Sequence, residues 1–89
     1  MSIAPNDVEK IRQLFEDGLK RGKGIDRVEK IKIRAKIRRE ISLISSLKNP
    51  TTDMILSRWK YKLSEVFSLF PSQFGNDLQG HLQKILKNK

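Results

Sequence analysis

The chain has 89 residues, enough for one domain with a single modest core. Nineteen Lys and Arg against ten Asp and Glu leave a formal net charge of +9, an excess that repels itself and draws polyanions over long range. There is no cysteine, which excludes disulfides and thiolate metal sites. No apolar run approaches the roughly 18 residues of a membrane-spanning helix. Acidic Asp7 and Glu9 stand where a secretory signal would be basic and then apolar. These features imply a soluble, intracellular chain.

Residues 1–5 read as a short flexible lead, and 6–89 as one helical domain. Asn6 is placed to cap a first helix, with Glu9 completing a capping-box spacing. Val8, Ile11, Phe15 and Leu19 recur at helical spacing. The glycines of Gly22-Lys23-Gly24 then stop the helix. Asp26 and Glu29 repeat the capping-box spacing, with Ile25 placed as a hydrophobic staple, and a second helix runs toward Leu47.

That second helix carries two apolar stripes. Val28, Ile31 and Ala35 form one; Ile33, Ile37, Ile41, Ile44 and Leu47 form the other. Two stripes predict a central helix packed on both sides, with a break between Ser42 and Ser46 as the competing reading. Asn49 and Pro50 predict the start of a third helix, with Asn49 as cap and Pro50 at its first position. Ile55 or Leu56, then Trp59, Leu63, Val66, Phe67 and Phe70 make the cleanest amphipathic pattern, ended by Pro71. A last helix carries Leu78, Leu82, Ile85 and Leu86, starting near Ser72 or Asn76. The expected fold is all-α: a compact bundle of four helices around a central basic second helix, with room for a fifth short turn at Ser72 to Gly75.

Catalytic candidates are few. His81 is the sole histidine, and Asp77 four residues earlier predicts a surface contact on a helix. Asp7, Glu9, Asp26, Glu29, Asp53 and Asp77 fall at predicted helix starts, where they cap N–H groups and oppose the macrodipole. That placement accounts for them without a metal. The glycine pair lacks the length and strand context of a phosphate loop. Neither an enzyme, a cofactor nor a small-molecule substrate is expected.

The acids at helix starts leave other surfaces positive. Lys30, Lys32, Arg34, Lys36, Arg38 and Arg39 follow one another with no acid between them. At helical geometry Arg27, Lys30, Arg34 and Arg38 share one edge, while Lys32, Lys36 and Arg39 share the opposite one. Lys20, Arg21 and Lys23 lie just upstream and extend either patch. Such rows reach several phosphates, each contact releasing counterions. The alternative is a solvated face that keeps a small domain soluble. Arg58, Tyr61 and Lys62 around Trp59 form a second candidate, a partner groove with Tyr61 as its exposed aromatic. Trp59 itself shares the core stripe with Leu63, Val66 and Phe70. Helix 2 holds almost only Lys, Arg and Ile, so shape and phosphate contact are expected rather than base readout.

The order of features from Val8 to Lys87 resembles the C-terminal helical domain of the chromodomain-helicase-DNA-binding type 1 chromatin remodellers. Lys23-Gly24-Ile25-Asp26 resembles that family's Lys-Gly-Leu-Ser turn, and Asn49-Pro50 stands before the third helix. Trp59-Lys60-Tyr61-Lys62-Leu63 resembles its Trp-Arg-x-x-Leu, and Val66-Phe67-Ser68-Leu69-Phe70 its Val-Ser-x-Phe ending. The family's Ile-Gly has no glycine counterpart between Lys30 and Leu47, and Ser64 stands where its aromatic follows the helix-3 leucine. The resemblance implies a bundle that binds duplex DNA and nucleosomes as an accessory to a remodelling motor lying elsewhere, in the nucleus. Two other readings share the composition: a protein-interaction bundle docking an acidic partner near Tyr61, and a small viral or plasmid regulator that dimerises on an operator. Membrane association is not expected, because the basic helix lacks a bulky aromatic face.

Overall fold

A computed structural model describes residues 3–87. Five helices follow one another: α1 (Pro5–Arg21), α2 (Arg27–Ser45), α3 (Thr52–Lys62), α4 (Ser64–Leu69) and α5 (Gln73–Lys87), with no strand among the described residues. The all-α expectation holds, and the departures lie at helix ends and in the uncovered outer stripe of α2.

Helix α1 starts at Pro5, with Ala4 rather than Asn6 in the cap position and no side-chain capping bond. Proline is pre-organised for a first helical position, since its fixed φ suits the helix and its missing N–H would have had no partner. Ile3 is buried in the core. The expected flexible lead over 1–5 is therefore corrected from Ile3 onward, while Met1 and Ser2 lie outside the described residues. At α2 the local signal is sound: Asp26 Oδ1 accepts the Glu29 N–H at 2.8 Å. The helix continues unbroken through the serines to Ser45. The Ser45 and Ser46 hydroxyls donate back to the carbonyls of Ser42 and Leu43, so its last turn is tied to its own backbone.

Asn49 takes a left-handed φ of 52° and turns the chain, so it cannot also be the extended cap of α3. Thr51 fills that role and accepts the Met54 N–H at 3.2 Å, leaving Pro50 outside the helix. The long predicted third helix is two helices. Leu63 (φ −120°, ψ 42°) leaves helical geometry, closes α3 by donating to the Trp59 carbonyl at 2.7 Å, and opens α4 by accepting from Val66. This break, not a turn at Ser72 to Gly75, supplies the fifth helix. Trp59, Leu63, Val66 and Phe70 all stay buried across it.

Helix α1 packs between α2 and α5, and α3 packs on α5 and α4. The aromatic centre runs through these seams. The Phe15 ring lies 5.2 Å from both Trp59 and Phe74, and Phe70 meets Phe74 edge-on at 5.0 Å. Gly18 of α1 permits this closeness, because a Cβ there would overlap the Phe70 ring.

Helix α2 is joined to α1, α3 and α4 through its ion pairs, but the expectation that both of its apolar stripes are covered is corrected. Only one α2 stripe is used: Ile33, Ile37, Ile41 and Ile44 are at most 4% exposed, whereas Val28 and Ile31 are 62% and 59% exposed. Ala35 is exposed beside them. The helices that meet α2 leave its outer stripe uncovered.

Candidate nucleic-acid interface

The basic residues of α2 divide into those held by other helices and those left to solvent. Arg34 meets Glu16 of α1 in a bidentate pair, with Nε at 2.8 Å and Nη2 at 3.2 Å from the two carboxylate oxygens. Lys36 Nζ donates to Glu65 of α4 at 3.0 Å. Arg58, assigned from sequence to a partner groove, instead donates through Nε (2.6 Å) and Nη2 (3.2 Å) to Glu40 of α2. Among the described residues Glu40 is the one charged residue in the core, 5% exposed. The stretch that is free of acids along the chain is thus not free of them in space.

These partners were invisible in sequence because they lie 18 or 29 residues away. Glu16 is held below the ordinary carboxylate value chiefly by its Arg34 hydrogen bond. Burial opposes that shift, while the charges of Arg34, Arg38 and Lys20 add to it. Glu16 therefore sits inside a cationic cluster and offsets part of the Arg34 edge. Arg21 pairs with Asp17 at 3.6 Å on the surface of α1. Lys20 and Lys23 are exposed upstream of α2 without an ion pair among the described residues, as are Arg27, Lys32, Arg38 and Arg39. Lys30 is half-buried near the start of α2.

The opposite edge converges with α3. Lys36 and Arg39 of α2 and Lys62 at the end of α3 line one groove, about 170 Å³ in volume, floored by Glu40 and Leu63. The Leu63 break ends α3 here and starts α4, from which Glu65 reaches Lys36. Tyr61 is 79% exposed, with the ammonium of the groove residue Lys62 5.5 Å from its ring centroid. Lys32 lies one turn before Lys36 on the same edge. The Arg38 edge borders a different groove, between α1 and α2, with Val8, Arg12, Ile41 and Ser42, and without an aromatic. The structure thus brings together Lys36, Arg39 and Lys62, with Tyr61 joined to them through its contact with Lys62, while Lys20, Arg21 and Lys23 do not line this groove. Trp59 is fully buried and plays no part in the surface.

His81 does not make the expected contact with Asp77, whose carboxylate accepts instead from the Gln73 amide at 3.1 Å. Asp77 is also corrected in position, since α5 starts four residues before it, at Gln73. The His81 Nε2 atom is buried without a hydrogen-bond partner. Burial is the main cause that pushes its pKa below the ordinary value, with Lys10 and Lys84 adding and Asp7 opposing. Among the described residues no three His, Cys, Asp or Glu side chains gather as a metal site, and no helix is long and apolar enough to cross a membrane.

Comparison with protein-family models, with curated proteins and with solved structures finds no match to this chain.

Proposed function

We propose that this chain is a non-catalytic basic module that binds duplex DNA through phosphate contacts along the α2–α3 groove. The observation that carries the reading is the convergence of Lys36, Arg39 and Lys62 from two helices on one groove, with the exposed ring of Tyr61 against Lys62. A net charge of +9 supplies the long-range attraction. Arg39 and Lys62 have no intramolecular ion pair among the described residues, so their charges are available to phosphates. Lys36 is shared with Glu65 and adds less. The Tyr61 ring fits against a sugar edge or an unpaired base.

No cluster of Asn, Gln and Arg marks a base-reading surface, so binding is expected to tolerate sequence, with micromolar-range dissociation constants of about 10⁻⁶ to 10⁻⁴ M at physiological salt. A role on nucleosomes as an accessory to a chromatin-remodelling motor is the more specific form of this proposal, and it rests on the resemblance of Lys23-Gly24-Ile25-Asp26, Asn49-Pro50 and Trp59-Lys60-Tyr61-Lys62-Leu63 to that family's segments. The test is fluorescence anisotropy of labelled duplex DNA with the wild-type chain and with Arg39→Ala/Lys62→Ala. The expected loss is about tenfold in affinity, from two phosphate contacts. Unchanged affinity in the folded double variant would rule this groove out as the binding site.

A further inference from the structure

We propose that the outer face of α2 is a second docking surface, bordering the DNA groove at Arg39, and that its occupant is an acidic amphipathic helix of a protein partner. The fold buries one of the two apolar stripes of α2 and leaves the other bare. Val28 and Ile31 are more than half exposed, and Ala35 follows one turn later on the same line. A lone exposed aliphatic residue is ordinary, but a stripe at i, i+3 and i+7 on one helix is the pattern that receives a partner helix.

The charges around the stripe choose the partner. Arg27 and Arg38 border one side and Lys32 and Arg39 the other, all exposed and without an ion pair among the described residues. Of the three cations farther round the helix, Arg34 and Lys36 are turned to Glu16 and Glu65, and Lys30 is half-buried. Glu40 is buried beneath α2, and Glu29 lies at its first turn, so no acid stands on the outer face. An occupant therefore needs an apolar stripe flanked on both sides by carboxylates, over the roughly 18 Å from Arg27 to Arg39. A second copy of this chain would set cations against cations. A nucleic-acid backbone would match the charges while leaving Val28 and Ile31 without an apolar partner.

The outer face of α2 shares Arg39 with the proposed DNA groove, but its apolar contact comes from Val28 and Ile31, which do not line that groove, so changing these two tests it apart from the DNA reading. The probe is a synthetic helical peptide with leucines at i, i+3 and i+7 and glutamates on both flanks, set beside a peptide of the same composition in scrambled order. Duplex DNA and phosphatidylserine vesicles serve as competing ligands. The expected result is preferential binding of the ordered peptide, weakened at least about tenfold by Val28→Gln/Ile31→Gln. Duplex DNA affinity stays unchanged in the same variant, whose exposed substitutions leave the circular-dichroism melting curve near that of the wild type. Equal binding of ordered and scrambled peptides, an unaffected double variant, or preference for vesicles over the ordered peptide would each overturn the proposal.

Discussion

Glu40 of α2 accepts two hydrogen bonds from the guanidinium of Arg58 in α3, the shorter at 2.6 Å, and is itself almost fully buried. The pair ties two helices together on the floor of the groove that Lys36, Arg39 and Lys62 line. Its carboxylate has no other hydrogen-bond donor among the described residues, so Arg58 alone compensates the charge. Removing one member leaves a buried charge unpaired, whereas removing both removes the problem. Arg58→Ala is therefore expected to melt well below the wild type, and Glu40→Leu/Arg58→Ala to melt above that single variant. Thermal denaturation followed by circular dichroism measures both. A double variant less stable than Arg58→Ala alone would contradict this view of the pair.

The two stripes of α2 differ sharply in what they contribute. Ile33→Ala deletes a core side chain and is expected to cost about 3 kcal/mol, within the usual range for such truncations. Ile31→Ala removes an exposed side chain and is expected to stay within about 0.5 kcal/mol. Urea titration of the two variants decides which stripe faces the core.

Gly18 lies where α1 meets Phe70. Alanine is the better helix former by about 1 kcal/mol. A Cβ at that position would nevertheless collide with the buried Phe70 ring. Gly18→Ala is expected to be net destabilising, by about 1–3 kcal/mol of overpacking strain. In Gly18→Ala/Phe70→Leu the smaller side chain relieves the clash, so the alanine costs less than it does beside Phe70. Denaturant midpoints of the four-member cycle measure this coupling.

His81 gives a pH dependence with a defined sign. Its folded-state pKa lies below the ordinary 6.5, first because partial burial desolvates the ring. Above 6.5 both folded and unfolded chains hold it neutral. As the pH falls through 6.5 the unfolded chain takes up a proton that the folded chain refuses, so stability decreases. The carboxylate of Glu16 adds a separate loss farther down, because its folded-state pKa lies below the ordinary 4.5 and its Arg34 pair is broken on protonation. Melting temperatures measured from neutral to acid pH should show the first step in the wild type and lose it in His81→Gln, with the lower step retained.

What could be read from the sequence was whatever depends on neighbours along the chain. Asp26 caps α2 because its carboxylate needs only the N–H three residues on. The Val66–Phe70 and Leu78–Leu82 spacings mark buried faces for the same local reason. The choice between the two α2 stripes was not local, since it turned on the side from which α1, α3 and α4 meet the helix. Nothing near Leu63 marks a helix break except Ser64, a weak residue for a helix interior. The acids that hold Arg34, Lys36 and Arg58 come from distant helices, so the apparently uniform basic run separated into paired and free cations only once the chain was folded. The convergence of Arg39 with Lys62 is equally a product of the fold.

The most direct measurement of the central claim is the salt dependence of duplex DNA binding. Every phosphate that a variant no longer neutralises should make the slope of log affinity against log salt shallower by about 0.9. The wild-type chain is expected to bind duplex DNA with affinity that falls steeply as salt rises, and Arg39→Ala/Lys62→Ala to show a slope shallower by about 2. Absence of duplex binding at low salt, or an identical slope in the folded double variant, would contradict the proposal that this groove meets a phosphate backbone.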